Sequence, residues 1–223
     1  MYLHYPNFYG KASNAFVPFG LDVGKLIFGN RNVLPVGHGE TLLINDDGKV
    51  KFVRYGRYKT GTGAVRSTTK GGNWAILDYP DLNPGETVEN YIHRLLALDE
   101  SREKGKKYLE DSKYGAFEAI EIPNVNFQKA VDYAIQQSND INRPEYSLAN
   151  TCATGACNTI KAGYEGKKKP TNFRLIPTLN GSDANEGIFP YIWGTIRGTT
   201  NQYAEDMREI GSNTYIFNKD KKK

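Results

Sequence analysis

Cysteine and histidine are scarce in this chain, two and three among 223 residues. Scattered as they are, they form no C-x-x-C and no H-E-x-x-H, so no protein-built metal site and no cofactor is expected. A G-x-S-x-G elbow is also missing, and the glycine-broken run from Gly56 to Thr62 lacks the Lys of a phosphate loop. No stretch approaches about 18 consecutive apolar residues, which excludes a helical membrane span. Neither charge sign is in marked excess: 29 basic against 25 acidic residues leave a net +4, which gives no argument for nucleic acid. The runs Lys167 to Lys169 and Lys221 to Lys223 read as solvated surface or frayed tail, compatible with an anionic polymer as partner. Met1-Tyr2-Leu3-His4-Tyr5-Pro6 has neither the basic region nor the apolar run of a secretory signal, so folding in the producer's cytoplasm is expected.

What is present fits an ordinary globular chain, 24% charged and 39% hydrophobic, long enough for one large domain over 1–223. Residues 1–35, rich in Gly, Pro, Asn and aromatics without periodicity, read as an irregular arm laid over a core of about 36–165. Residues 166–223 form a C-terminal extension. Gly37 to Ile44 predicts a strand, Asn45-Asp46-Asp47-Gly48 a hairpin turn, and Lys49 to Tyr55 the returning strand. A two-residue tip at Asp46-Asp47 sets His38 across from Tyr55, with Glu40 on the His38 face. Gly56 to Arg66 reads as a loop and a short strand.

Asn83-Pro84-Gly85-Glu86 reads as a helix start, with Val88, Tyr91, Ile92, Leu95 and Leu96 as the buried stripe and an end near Lys104-Gly105. Ala116 to Ile122 alternates as a strand stopped by Pro123. A second helix follows with Phe127, Ala130, Val131, Ala134 and Ile135 inward. After a third helix from Cys152 to about Gly163 come an extended Phe173 to Ile176 and an aromatic patch at Phe189, Tyr191 and Trp193. A short helix near Ala204 to Ile210 and a last strand at Tyr215 to Phe217 close the chain. The class is α+β.

The chemistry concentrates at Tyr146-Ser147-Leu148-Ala149-Asn150-Thr151-Cys152. An extended approach meets two good N-cap residues, Asn150 and Thr151, and a helix opens at Cys152. A thiol in the first turn faces unpaired N–H groups and the positive end of the helix dipole, which favour thiolate. Cys152 therefore reads either as a nucleophile or as a small buried apolar residue, the commoner use of a free cysteine. Cys157 lies five positions on, about 140° around the helix, so the pair is poorly placed for a disulfide. Among the histidines, His93 falls on the outer side of its helix and His4 in the arm. His38, between two glycines at the mouth of a hairpin, is either a hydrogen-bonded structural histidine or a general base. Only a His-before-Cys order is available.

A Gly-His pair opening a hairpin, followed about a hundred residues later by an Asn-x-Cys helix start, resembles the circularly permuted papain-like fold. That group includes NlpC-type cell-wall amidases and the lecithin:retinol acyltransferase relatives. Gly37-His38 with Leu42-Leu43-Ile44, Tyr55-Gly56-Arg57-Tyr58, Val65-Arg66, and Tyr146-Ser147-Leu148 with Asn150 and Cys152 are similar to type VI secretion antibacterial effectors such as the TseH-like toxins. The resemblance spans roughly residues 35 to 165. It implies an antiparallel sheet packed on helices and a cysteine amidase or peptidase with Cys152 as nucleophile and His38 as base. Relatives often carry an acidic residue where this chain has Arg54, so the third group is Tyr55 or Glu40, with Tyr55 preferred. The implied substrate is the peptide stem of peptidoglycan in a rival's periplasm, reached through the secretion machinery without a signal peptide. A cognate immunity protein is implied in the producer.

Two other functions fit the same residues: a thiol hydrolase or acyltransferase acting on a lipid or host protein, and a non-catalytic binding module with Cys152 in its core. Replacing each cysteine separates catalysis from packing. Cys152→Ala is expected to abolish hydrolysis or toxicity and Cys157→Ala to spare it; equal loss in two folded variants would assign both cysteines to structure.

Overall fold

The computed structural model describes residues 1–7, 9–11, 33–35, 37–56, 73–101, 108–109, 112, 115–140, 151–168 and 201–218. Its strands are β1 (Tyr2–Tyr5), β2 (Tyr9–Lys11), β3 (Val33–Pro35), β4 (His38–Ile44), β5 (Val50–Gly56), β6 (Asn73–Tyr79), β7 (Phe117–Glu121) and β8 (Asn213–Phe217). The helices are α1 (Val88–Glu100), α2 (Phe127–Asn139), α3 (Cys152–Gly163) and α4, over 201–210. Six strands form one antiparallel sheet in the order β6-β5-β4-β1-β7-β8, while β2 and β3 pair separately. The α+β class and the antiparallel sheet agree with expectation.

The centre of that sheet corrects the reading of an N-terminal arm for residues 2–5; residues 12–32 of that arm lie outside the described residues. β1 lies between β4 and β7, with Tyr2 opposite Thr41 on one side and Ile120 on the other. All four of its residues are buried, so Tyr2-Leu3-His4-Tyr5 shows no polar alternation that could announce a strand. Strand β8, from the C-terminal stretch read as an extension, completes the other end of the sheet against β7.

Both faces of the sheet are covered. α1 sets Tyr91, Ile92 and Leu95 against Leu3, Tyr5, Leu42, Phe52 and Phe117. On the opposite face α3 and α4 enclose Tyr2 and Ile120, using Ala156, Cys157, Ile160, Ala204 and Met207. α2 adds Ala130, Val131 and Ala134 over Leu43, Val53, Tyr55 and Trp74. Each large apolar side chain so buried contributes about 1.5–3 kcal/mol.

Three local expectations are corrected. The β4–β5 turn holds three residues, Asp46-Asp47-Gly48, because Gly48 takes φ 81° and donates its N–H to Asn45 O at 3.0 Å. The register therefore pairs Ile44 with Val50 and Thr41 with Val53, one residue away from the expected tip. A single-residue shift exchanges faces, so Tyr55 no longer stands across from His38; the same register carries Arg54 opposite Glu40. Second, Asn83-Pro84-Gly85-Glu86 is a turn. Gly85 has φ 76°, Glu86 N–H donates to Asn83 O at 3.0 Å, and α1 is capped by Thr87, which accepts from Asn90 N. Arg94 grips Glu86 through both carboxylate oxygens, at 2.8 and 2.7 Å, which ties this turn to α1. Described helix ends at Glu100 with Ser101 as cap, short of Lys104-Gly105. Third, Ile135 of α2 is 43% exposed, and Ser138 is buried one turn further along the stripe. β6 had no sequence expectation. The readings placed on Arg57 to Arg66, Tyr146 to Asn150, Phe173 to Ile176 and Phe189 to Trp193 lie outside the described residues.

If β1 is the centre of the sheet, its apolar side chains carry core energies. Leu3→Ala is expected to lower stability by about 2–5 kcal/mol in denaturant titration. A loss under about 1 kcal/mol would return the segment to the status of a loose arm.

Candidate active site

Helix α3 begins where the chain supplies a reciprocal cap. Thr151 Oγ1 accepts the N–H of Thr154, and Thr154 Oγ1 accepts the N–H of Thr151 at 3.1 Å. Cys152 is then the first helical residue, 5% exposed, at the end of the helix whose backbone N–H groups point outward. Thr41 Oγ1 donates to Ala156 O at 3.1 Å and ties the middle of α3 to β4.

Two glycines let the helix lie this close to the sheet. A Cβ on Gly39 would stand 2.9 Å from Ala153 Cα and collide with the Tyr2 hydroxyl. A Cβ on Gly155 would stand 2.6 Å from Tyr55 Cβ. Thus the first turn of α3 presses onto the strand residue that follows His38, and the helix beyond it rests on Tyr55.

Sequence neighbours of these contact points are the two chemically interesting side chains. His38, 3% exposed, shares hydrogen bonds with the Cys152 sulfur and with Glu40. Its Nε2 lies 3.1 Å from Glu40 Oε1. Glu40 is 2% exposed, and the Arg54 guanidinium approaches the same oxygen, with Nη1 at 4.0 Å. Burial works against a charged His38 ring. The electrostatic pull of Cys152 and of Glu40, and the hydrogen bonds to each, outweigh that and hold the imidazole well above its ordinary value.

Of the sequence-derived candidates, the structure therefore brings Cys152, His38 and Glu40 together. Tyr55 sits in the apolar cluster with Val53 and Trp74, its ring 5.0 Å from the Trp74 ring. Cys157 is fully buried among Ile120, Ile160 and Met207, and burial pushes its thiol well up. The two cysteines form no disulfide. His93 is exposed as expected, edge-on to Phe217 at 5.1 Å. His4 is 2% exposed in the central strand, opposite Gly39, with Nδ1 3.9 Å from Glu118 Oε2. Sequence reasoning gave Arg54 no role; its signal is the hairpin register, legible once Gly48 is taken as the third residue of the turn.

Among the described residues no group of three or more His, Cys, Asp and Glu side chains could hold a metal ion. Nor is any described helix long and apolar enough to cross a membrane.

A family model described as type VI secretion system effector, TseH-like, matches residues 1–169. No curated protein and no solved structure matches the chain significantly.

The raised His38 value is directly observable. Its ring protons are expected to titrate above the ordinary 6.5 in an NMR titration, and Glu40→Gln to bring the midpoint down. A wild-type midpoint at or below 6.5 would remove the ionic contacts described above.

Proposed function

The chain belongs to the TseH-like family of type VI secretion system effectors, and from that premise we propose that it is a cysteine amidase with Cys152 as nucleophile. The observation carrying this reading is the buried series Cys152–His38–Glu40, with the thiol at the opening of α3. A core cysteine has no need of an imidazole hydrogen-bonded to it, and a buried carboxylate aimed at that imidazole is costly unless the ring is charged. The arrangement is that of an activated nucleophile, a base and a group orienting the base. Glu40, rather than Tyr55, takes the orienting role. With Nε2 directed at Glu40, Nδ1 is the ring nitrogen left to serve the sulfur. A permuted papain-like fold is the architecture this reading implies.

The reaction is acyl transfer. His38 holds the proton taken from Cys152, and the thiolate attacks an amide carbonyl carbon, forming a C–S bond. The carbonyl electrons move onto oxygen, where first-turn backbone N–H groups of α3 are suited to receive them. As the tetrahedral intermediate collapses, the C–N bond breaks and His38 protonates the departing amine. A thioester remains on Cys152. His38 then takes a proton from water, hydroxide adds to the thioester carbon, and the C–S bond breaks to release the acid and restore the thiolate.

A type VI antibacterial effector meets its substrate in a rival cell and harms its producer unless blocked. An immunity protein and the secretion machinery are therefore the partners this family implies. The peptide stem of peptidoglycan is the amide substrate that fits, reached in the target periplasm. Digestion of purified peptidoglycan with mass analysis of the fragments identifies the bond cut.

Expression in two compartments tests the reading. Growth is expected to continue when the protein is made in the cytoplasm of a susceptible bacterium and to end in rounding or lysis when a signal peptide is added. The effect is expected to vanish with Cys152→Ala or His38→Ala. Toxicity confined to the cytoplasmic form would remove the cell wall as substrate and leave the thiol chemistry standing.

A further inference from the structure

Glu40 poses a charge problem that His38 does not solve alone. Its carboxylate is 2% exposed, and a buried anion is stable only beside a cation. His38 supplies that cation only while it holds its proton. In the reaction proposed above, which this inference rests on, His38 gives the proton away in every turnover. At that moment the carboxylate keeps its charge and loses its partner, unless another cation stands by.

Arg54 is that cation. The β4–β5 register sets it opposite Glu40, its Nη1 reaches 4.0 Å from the oxygen that also faces His38, and its side chain is only 12% exposed. The guanidinium carbon lies 5.9 Å from the centre of the Phe52 ring, which fixes it over an apolar surface. Unlike imidazole, guanidinium does not deprotonate in a protein.

Among the described residues, the other groups around the pair do not offer a substitute. From β6, Tyr79 is buried and neutral: burial lifts its phenol well above the ordinary range, with Glu40 raising and Arg54 lowering it further. Its hydroxyl donates to Tyr108 O. From α1, the Asp99 side chain is no cation, and its two oxygens are engaged by the N–H groups of Tyr108 and Leu109, at 2.5 and 2.7 Å. From β1, the Tyr5 ring lies 6.1 Å from the His38 ring. From α3 comes Cys152 itself.

We infer that Arg54 is a positioning residue for the nucleophile, acting through Glu40 and His38: it neutralises the Glu40 carboxylate whether or not His38 is protonated. The series then alternates in sign, from thiolate through imidazolium and carboxylate to guanidinium. Without Arg54, the Glu40 carboxylate confronts the thiolate with an unbalanced negative field, and thiolate formation at Cys152 moves to higher pH.

The test is the rate of Cys152 alkylation by iodoacetamide as a function of pH, with the modified residue located by mass spectrometry. No substrate is needed, and the full chain is used. Arg54→Met is expected to move the alkylation profile up by about one pH unit, approaching about ten-fold slower at pH values below the wild-type midpoint, while Arg54→Lys restores most of the rate. In a Glu40→Gln background, adding Arg54→Met is expected to change the rate less than about two-fold, since the charge it serves is gone. If Arg54→Met alone is unstable, adding Glu40→Gln is expected to restore its melting temperature; instability that persists in the double variant would overturn the assignment. An Arg54→Met profile that overlays the wild type, while His38→Ala slows alkylation, would remove Arg54 and keep the Cys–His reading. A His38→Ala profile that also overlays the wild type would remove that reading and the inference with it.

Discussion

The site rests on one buried contact series, in which an imidazole stands between a helix-opening thiol and a carboxylate of its own strand. Charges are expensive in a protein interior, so such a series persists only when each member meets an opposite sign. His38 satisfies Glu40 when protonated, and Arg54 stands opposite the same oxygen. In the proposed reaction the thiol gains from the imidazolium and from the end of α3. Every larger feature of the fold can be read as holding these groups at hydrogen-bonding distance in spite of the desolvation cost.

The sheet does most of that holding. β4 carries His38 and Glu40 two positions apart, so both side chains leave the strand on one side. β5 supplies Arg54 to the same side through a register set by a three-residue turn. Gly39, between His38 and Glu40, has no side chain, and the backbone of Ala153 rests there with the Tyr2 hydroxyl. Tyr2 belongs to β1, so the innermost strand of the sheet reaches the junction of Cys152 and His38. Removing a residue from β1 therefore acts on the site as well as on the core.

Much of this was legible in the residues. Thr151 before Cys152 announces a helix start, and the helix runs from Cys152 to Gly163 as its spacing suggests. The β4–β5 hairpin is announced by its Asn45-Asp46-Asp47-Gly48 turn, although β4 itself is buried on both faces, and α2 by a helical period that survives where one face is polar. Legibility fails where burial is complete. Tyr2-Leu3-His4-Tyr5 is covered on both faces and carries no period, so the central strand passed for an arm. It fails again where one glycine decides between conformations. Gly85 at φ 76° turns an apparent helix cap into a turn. Gly48 at φ 81° lengthens the hairpin tip by a residue, which moves Tyr55 away from His38 and sets Arg54 beside the Glu40 side chain. Pairing Tyr55 with His38 was thus a consequence of the register, not of the chemistry.

In the proposed chemistry Cys152 is a thiolate because His38 is an imidazolium, and the ultraviolet absorbance of the thiolate reads this most directly. A thiolate band is expected at about pH 6 in the wild type, missing from Cys152→Ala and shifted to clearly higher pH in His38→Ala. A band that first grows in the wild type near the ordinary cysteine value of about 8.5, unchanged by His38→Ala, would contradict it.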